Sequence, residues 1–147
     1  MQSLERMKPL ALLLLRWGLA VIFIFHGYPK LFTHTQQAMQ GFVHMGFPSY
    51  FVYVAGAIEF FGGCLLLVGL FTRIVGLLLA GEMAVALWRV HLPQGGVMAV
   101  PNYELPMTLM IAAFALAVLG GGLLSLDHAL FRGGRSTPRR AKTKDRE

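Results

Sequence analysis

The sequence predicts an all-α integral membrane protein, a bundle of four transmembrane helices, and three observations support this. The 147 residues are 56% hydrophobic and only 14% charged, whereas soluble globular domains carry roughly 25% charged residues. Four apolar segments approach the ~20 residues that a helix needs to cross a bilayer. Basic residues collect in the connections on one side of these segments. Because so apolar a chain cannot cover a water-exposed surface with polar groups, lipid is its expected solvent.

The four segments are recognised by their length and by the turn residues between them. The first runs from about Pro9 to Tyr28, and Pro29 is expected to end or kink it. The others cover about 50–71, 73–90 and 103–126, with a long first loop, a tight Thr72-Arg73 turn and a loop at 94–102 between them. Residues 1–131 are therefore predicted to form one transmembrane domain.

The distribution of the Lys and Arg residues predicts the orientation. Arg6, Lys8 and Arg73 fall on the same side of the predicted helices as the segment 132–147, which is polar and basic. Because cytoplasmic connections of membrane proteins are enriched in Lys and Arg, we expect both termini in the cytoplasm. Residues 132–147 are expected to be a disordered cytoplasmic tail that contacts anionic lipid headgroups rather than nucleic acid.

Charged side chains within the apolar segments are the candidates for function, because each costs about 2.5–3.5 kcal/mol at the centre of a membrane helix. A rise of about 1.5 Å per residue places Arg16, Glu59 and Glu82 at neighbouring depths. We therefore expect Arg16 to be shared between the two carboxylates as an ion-pair network. Such a network is either part of the chemistry or purely architectural, and the sequence leaves both open.

A second polar group is predicted at the end of the bundle away from the termini. Its candidate catalytic residues are Glu59, Glu104 and His26, because carboxylates and imidazoles move protons. Its candidate ligand-binding residues are Lys30, Arg89, His91 and Tyr103. No metal site is predicted, since these acids and histidines lack the spacing of a local ligand set.

An ordered set of short motifs resembles the DoxX family of small bacterial membrane proteins, whose relatives include the DoxD subunit of a thiosulfate:quinone oxidoreductase. The motifs are Leu14-Leu15-Arg16 with Gly18, 22–27, 30–32, Glu59 with Gly62-Gly63, 65–69, 71–73, 103–105, 120–122 and 124–127, within about Leu10 to Leu130. The resemblance implies a four-helix protein of the bacterial inner membrane, described as an oxidoreductase or as part of a quinone- or redox-stress system. It also implies a polar signature, here Arg16, His26, Lys30, Glu59, Glu104 and Asp127.

Three functions follow as hypotheses. The first is a membrane redox component that binds a quinone-like molecule between the helices and works with a partner oxidoreductase, since the sequence shows no flavin, haem or iron–sulfur motif. The second is a non-enzymatic anchor or assembly subunit for a soluble redox enzyme, and the third is a small transporter. Whether the chain is itself an enzyme stays open, and a quinone is the one cofactor suggested. Thiol–disulfide exchange is excluded, because Cys64 is the single cysteine.

Overall fold

The computed structural model describes residues 5–91, 93 and 100–131, and within these ranges the chain is helical without any strand. Two five-residue π-helical turns each continue a long helix, Pro29–Thr33 directly after Tyr28 and Leu87–His91 directly after Ala86. The predicted basic tail at 132–147 and the centre of the predicted loop at 94–102 lie outside the described residues. The helices are α1 Lys8–Tyr28, α2 Thr35–His44, α3 Phe51–Val68, α4 Thr72–Ala86, α5 Val100–Leu119 and α6 Leu126–Phe131.

The four long helices pack side by side around one apolar core. Helix α1 packs against α3, α3 against α4, α4 against α5, and α5 against α1. Glycines allow the closest approaches, because a Cβ on Gly27 would lie 2.5 Å from the Phe60 nitrogen and one on Gly76 would lie 2.8 Å from the Ala113 oxygen. The buried core is formed by Leu19, Ala20, Phe23, Leu66, Val75, Leu79, Ala80, Met83, Leu109, Ala113 and Leu116.

The outer surface of the helices is apolar. Three helical stretches, Lys8–Thr33, Phe51–Val68 and Thr72–His91, are long and apolar enough to cross a membrane, and Tyr103–Leu119 is a shorter apolar helix. Large side chains such as Phe61 on α3 are mostly exposed on this surface. Continuous apolar surface of this kind is stable in lipid and not in water. The chain is therefore a multi-pass membrane protein.

The long first connection, predicted as a loop, contains the amphipathic helix α2. Its half-buried residues Ala38 and Phe42 are four apart, and the half-buried Met45 follows three residues later. This spacing places the three side chains on one face of a helix, which packs against α3. The helix is only ten residues long, which is too short to cross a membrane.

Two of the long helices, α1 and α5, depart from the predicted helix boundaries. Helix α5 ends at Leu119, not near 126, because Gly120 and Gly122 adopt positive φ angles of 81° and 76°. At Pro29, the α-helix gives way to a π-helical turn instead of ending outright. Proline lacks the N–H that a regular helix needs, and a π turn absorbs the defect while the chain continues. This turn carries Lys30 alongside α3.

Candidate functional site

A cavity of about 400 Å³ lies between α3 and α4 and is bounded by α2, and we call it the interhelical cavity. Most of its wall is apolar, and it includes Phe47 from the segment after α2 and Phe51 from α3. The charged and titratable side chains on the described part of this wall are Lys30, Glu59, Glu82 and His91. Four residues predicted from separate parts of the sequence therefore lie around one space.

Lys30 and Glu59 form a buried ion pair at this cavity. The Lys30 Nζ lies 2.6 Å from the Glu59 Oε2, and the side chains are 24% and 3% exposed. The Lys30 Nζ also lies 6.0 Å from the centroid of the Phe42 ring, on α2. Because an unpaired charge in an apolar interior is very unfavourable, each member of the pair makes burial of the other possible.

Glu82 brings a second carboxylate to the same cavity from α4. Its Oε2 atom is buried and has no hydrogen-bond partner among the residues that the structure describes. The residue interacts electrostatically with both Glu59 and Lys30. An unsatisfied buried acceptor costs about 1–3 kcal/mol, so Glu82 offers an unused hydrogen-bonding position at the wall of an apolar space.

The π-helical turn at the end of α4 holds His91 and Arg89. The His91 Nδ1–H donates to the Ala86 carbonyl oxygen over 2.9 Å, which leaves Nε2 for another partner. Arg89 is exposed, and its guanidinium carbon lies 5.8 Å from the centroid of the Phe47 ring. His91 therefore belongs to the cavity wall, whereas Arg89 lies at its rim on one of the lining aromatic rings.

The structure does not bring His26, Tyr103 and Glu104 to the interhelical cavity. His26 is exposed, and its Nδ1–H donates to the Ile22 oxygen over 2.8 Å. Tyr103 is half-buried and Glu104 is exposed, both at the start of α5, and neither lines the cavity. Positions near one membrane level can point in different directions around a helix, and the sequence-based cluster did not account for this.

The predicted ion-pair network around Arg16 is wrong. Arg16 is only 2% exposed, and its Nη1 and Nη2 donate to the carbonyl oxygens of Gly121 and Leu124, each over 2.8 Å. Because α5 ends early, these carbonyl oxygens lack helical partners, and the guanidinium satisfies them. No ion pair joins Arg16 to Glu59 or Glu82 within the described part of the chain.

One end of the protein contains the start of α1, the 69–72 turn and α6, and we call it the terminal end. Asp127 belongs, with Arg16, to a second group of polar side chains at this end. Its Oδ1 accepts from the Phe71 N–H over 2.7 Å and its Oδ2 from the Thr72 N–H over 2.8 Å. Its own N–H donates to the Gly69 oxygen over 2.9 Å. Asp127 therefore caps the start of α4, and the sequence signalled its importance only through the resemblance, without this role.

Comparison of the sequence with known proteins shows the family of this chain. A family model described as DoxX matches residues 11–92. A Bacillus subtilis protein named "Putative oxidoreductase CatD" is 39% identical over 123 residues, which cover 82% of this chain and 87% of that protein. A Haemophilus influenzae protein described as uncharacterized is 33% identical over 135 residues, covering 90% of this chain and 99% of its own length. No solved structure matches. From the family model and these two relatives together, this membrane protein belongs to the DoxX family.

Proposed function

We propose that this protein is a membrane redox component that binds a quinone-like molecule in the interhelical cavity and works with a partner oxidoreductase. One observation carries the proposal: a buried carboxylate oxygen of Glu82 lacks a described partner at the wall of an apolar cavity, beside the Lys30–Glu59 ion pair. The name of the Bacillus subtilis relative, which describes an oxidoreductase, supports the redox assignment.

The cavity suits a small, flat, apolar molecule with polar oxygens. Its volume of about 400 Å³ falls within the range of roughly 300–1,000 Å³ that is usual for small-molecule sites. Aromatic and aliphatic side chains would pack against the ring. The Lys30 ammonium carries three N–H donors, and Glu59 accepts from one of them, so the others can donate to a quinone oxygen.

The polar side chains also suit the proton chemistry of a quinone. Reduction of a quinone to a quinol adds one electron and one proton for each carbonyl oxygen. In this proposal the electrons come from the partner oxidoreductase, and the protons pass through the cavity-wall acids and the free Nε2 of His91. Glu82 has an unused oxygen and takes the role of the proton-exchanging group, while Glu59 holds the Lys30 ammonium in position.

We further propose that four helices cross the bacterial inner membrane with both termini in the cytoplasm. Helix α5, with 20 residues, is long enough to be the fourth crossing, and Lys8 and Arg73 both lie at the terminal end. In a Cys64→Ser background, a membrane-impermeant maleimide applied to intact cells should label Gln36→Cys on α2 and leave Arg6→Cys unlabelled. The reverse pattern would invert the orientation.

The test of the ligand site is a binding titration of the full chain in mild detergent with a short-chain benzoquinone. Glu82→Gln and Glu59→Gln are compared with Glu104→Gln, which removes a carboxylate that does not line the cavity. We expect Glu59→Gln to bind at least about tenfold more weakly, because it releases the Lys30 ammonium that donates to the quinone oxygen, and a hydrogen bond to a charged group contributes about 1.5–3 kcal/mol. Glu82→Gln, whose amide N–H can still donate to that oxygen, should show a smaller loss. Equal affinity in all four proteins, or no quinone binding at all, would overturn the ligand site.

A further inference from the structure

A second cavity, of about 760 Å³, opens at the terminal end, and we call it the terminal groove. It lies between the first turns of α1 and α4, the end of α5, and α6. None of its described lining residues belongs to the interhelical cavity. Its polar wall includes Lys8, Arg73 and His128, together with the acids Glu5 and Asp127. The groove is therefore a separate feature that the proposed function does not use.

Two of the basic side chains of this groove, Arg73 and His128, are available, whereas its carboxylates and Lys8 are occupied. Both oxygens of Asp127 accept backbone N–H groups, and Glu5 is paired with Lys8 on the next helical turn. By contrast, the side chains of Arg73 and His128 make no hydrogen bond or ion pair with any other residue in the described ranges. The groove thus offers a ligand two side chains with unused hydrogen-bond donors, and the guanidinium of Arg73 is always positively charged.

The remaining wall of the groove is apolar and faces outward. It includes Leu12 of α1, Ile74 of α4, Leu123 of the 120–125 segment and Phe131 of α6. The last three side chains are each more than half exposed. A small anion would use only the basic side chains and would leave this apolar wall uncovered. An occupant that covers both parts needs an anionic group joined to a hydrocarbon chain.

We propose that the terminal groove binds an anionic phospholipid of the phosphatidylglycerol type. The phosphate accepts hydrogen bonds from the Arg73 guanidinium and the His128 imidazole, because Arg binds phosphate through a planar pair of donors. An acyl chain lies along Ile74 and Leu123. Basic pockets between membrane helices are a recurrent site for anionic headgroups, and this one depends on neither the quinone nor the partner of the proposed function.

The experiment titrates the delipidated full chain with dioleoyl-phosphatidylglycerol and, in parallel, with dioleoyl-phosphatidylcholine, and counts bound lipid by native mass spectrometry. Arg73→Gln removes the free guanidinium, and Leu123→Trp fills the apolar wall while Arg73 is kept. Arg6→Gln is the matched control, because Arg6 is an exposed cation near the same end that does not line the groove. Gel filtration and circular dichroism establish that each variant is folded.

We expect wild type and Arg6→Gln to retain a single phosphatidylglycerol in preference to phosphatidylcholine. Arg73→Gln should bind it about tenfold more weakly, as loss of one charged hydrogen bond implies, and Leu123→Trp should also weaken binding, because it blocks the path of the acyl chain. Equal weakening by Arg6→Gln and Arg73→Gln would overturn the proposal, since it would indicate general attraction to the membrane surface. Equal binding of phosphatidylcholine, or displacement of the lipid by inorganic phosphate, would overturn it as well.

Discussion

Two clusters of buried charge lie in the same small protein, and they are satisfied in different ways. In the terminal cluster, Arg16 and Asp127 bond to backbone groups of the 120–125 segment and of the turn before α4. In the cavity cluster, Lys30 and Glu59 bond to each other, and a buried oxygen of Glu82 has no partner in the described chain. The first cluster therefore fixes architecture, whereas the second leaves a polar position open for a ligand.

The difference shows that a charge within an apolar helix is not by itself a sign of chemistry. Arg16 and Glu59 are equally buried, at 2% exposure each, and both were candidates from the sequence. The two residues differ in their hydrogen-bonding partners. Arg16 bonds to backbone carbonyl oxygens that have no helical partner because α5 ends early, whereas Glu59 bonds to the side chain of Lys30 at a cavity. Substitutions in the two clusters should therefore affect stability and ligand binding differently.

The largest loss of stability is expected from Lys30→Met. This change leaves the Glu59 carboxylate buried without its counter-ion, which typically costs about 3–5 kcal/mol. Equilibrium unfolding in mixed micelles measures the free energy. The double variant Lys30→Met/Glu59→Leu should recover most of the loss, because an apolar pair of similar volume often replaces a buried ion pair without penalty. A double variant as unstable as the single one would show that Lys30 acts through some other contact.

Arg16→Met should have the next largest effect and should act on stability alone. It removes both donors to the Gly121 and Leu124 carbonyl oxygens, and leaving the buried Gly121 oxygen unsatisfied costs about 1–3 kcal/mol. The exposed Arg6→Gln serves as the control and should change the unfolding free energy by less than about 0.5 kcal/mol. Quinone affinity measured on the folded fraction should be unchanged. A selective loss of quinone binding would instead assign Arg16 to the ligand site.

Asp127→Ala should destabilise the protein by about 1–2 kcal/mol, the usual effect of removing a helix cap. The Phe71 and Thr72 amide groups lose their acceptor, so the effect should be local. Hydrogen exchange should accelerate at the start of α4 and stay unchanged in α2. Uniform acceleration through the whole chain would show that Asp127 supports global packing and not one helix end.

Glu82→Gln should have the smallest effect on stability, within about 0.5 kcal/mol of wild type. The buried Oε2 makes no hydrogen bond with a described residue, and the amide keeps the size and shape of the carboxyl group. The same micelle unfolding assay measures it. A loss as large as that of Lys30→Met would place Glu82 in the architecture and would remove the distinction between the two clusters.

Much of the fold could be predicted because membrane crossing imposes strong rules on sequence. Length and apolar composition located the long helices, and Pro29 marked the change of helix geometry that places Lys30 beside Glu59. Helix α2 was missed because the region was interpreted as a loop. Ala38, Phe42 and Met45 have helical spacing there, but they lie in a segment that also contains several glutamines. Its role in bounding the cavity was missed with it.

The candidate site was predicted in part, for a reason that Arg16 and His26 illustrate. Depth along a helix follows from residue number, so Lys30, Glu59 and His91 were predicted near one end of the bundle, whereas Glu82 was predicted beside Arg16. Direction around the helix depends on which face packs against which neighbour, and His26 is exposed and does not line the interhelical cavity. The hydrogen-bonding partner of a buried charge depends on where helical backbone hydrogen bonding stops. Helix α5 ends at Leu119, earlier than predicted, and this end supplies the carbonyl oxygens that bind Arg16.

Filling the interhelical cavity tests its role as the quinone site most directly. Gly81 lines the cavity, and a Cβ built there meets nothing within 4 Å, so Gly81→Leu should fold and occupy the space. Gly18→Leu is the matched control, with equally open surroundings on α1 but no contact with the cavity. Titration with the short-chain benzoquinone should show at least about tenfold weaker binding for Gly81→Leu, a loss near 1.4 kcal/mol, and wild-type affinity for Gly18→Leu. Wild-type affinity in a folded Gly81→Leu protein would contradict the assignment of this cavity as the quinone site.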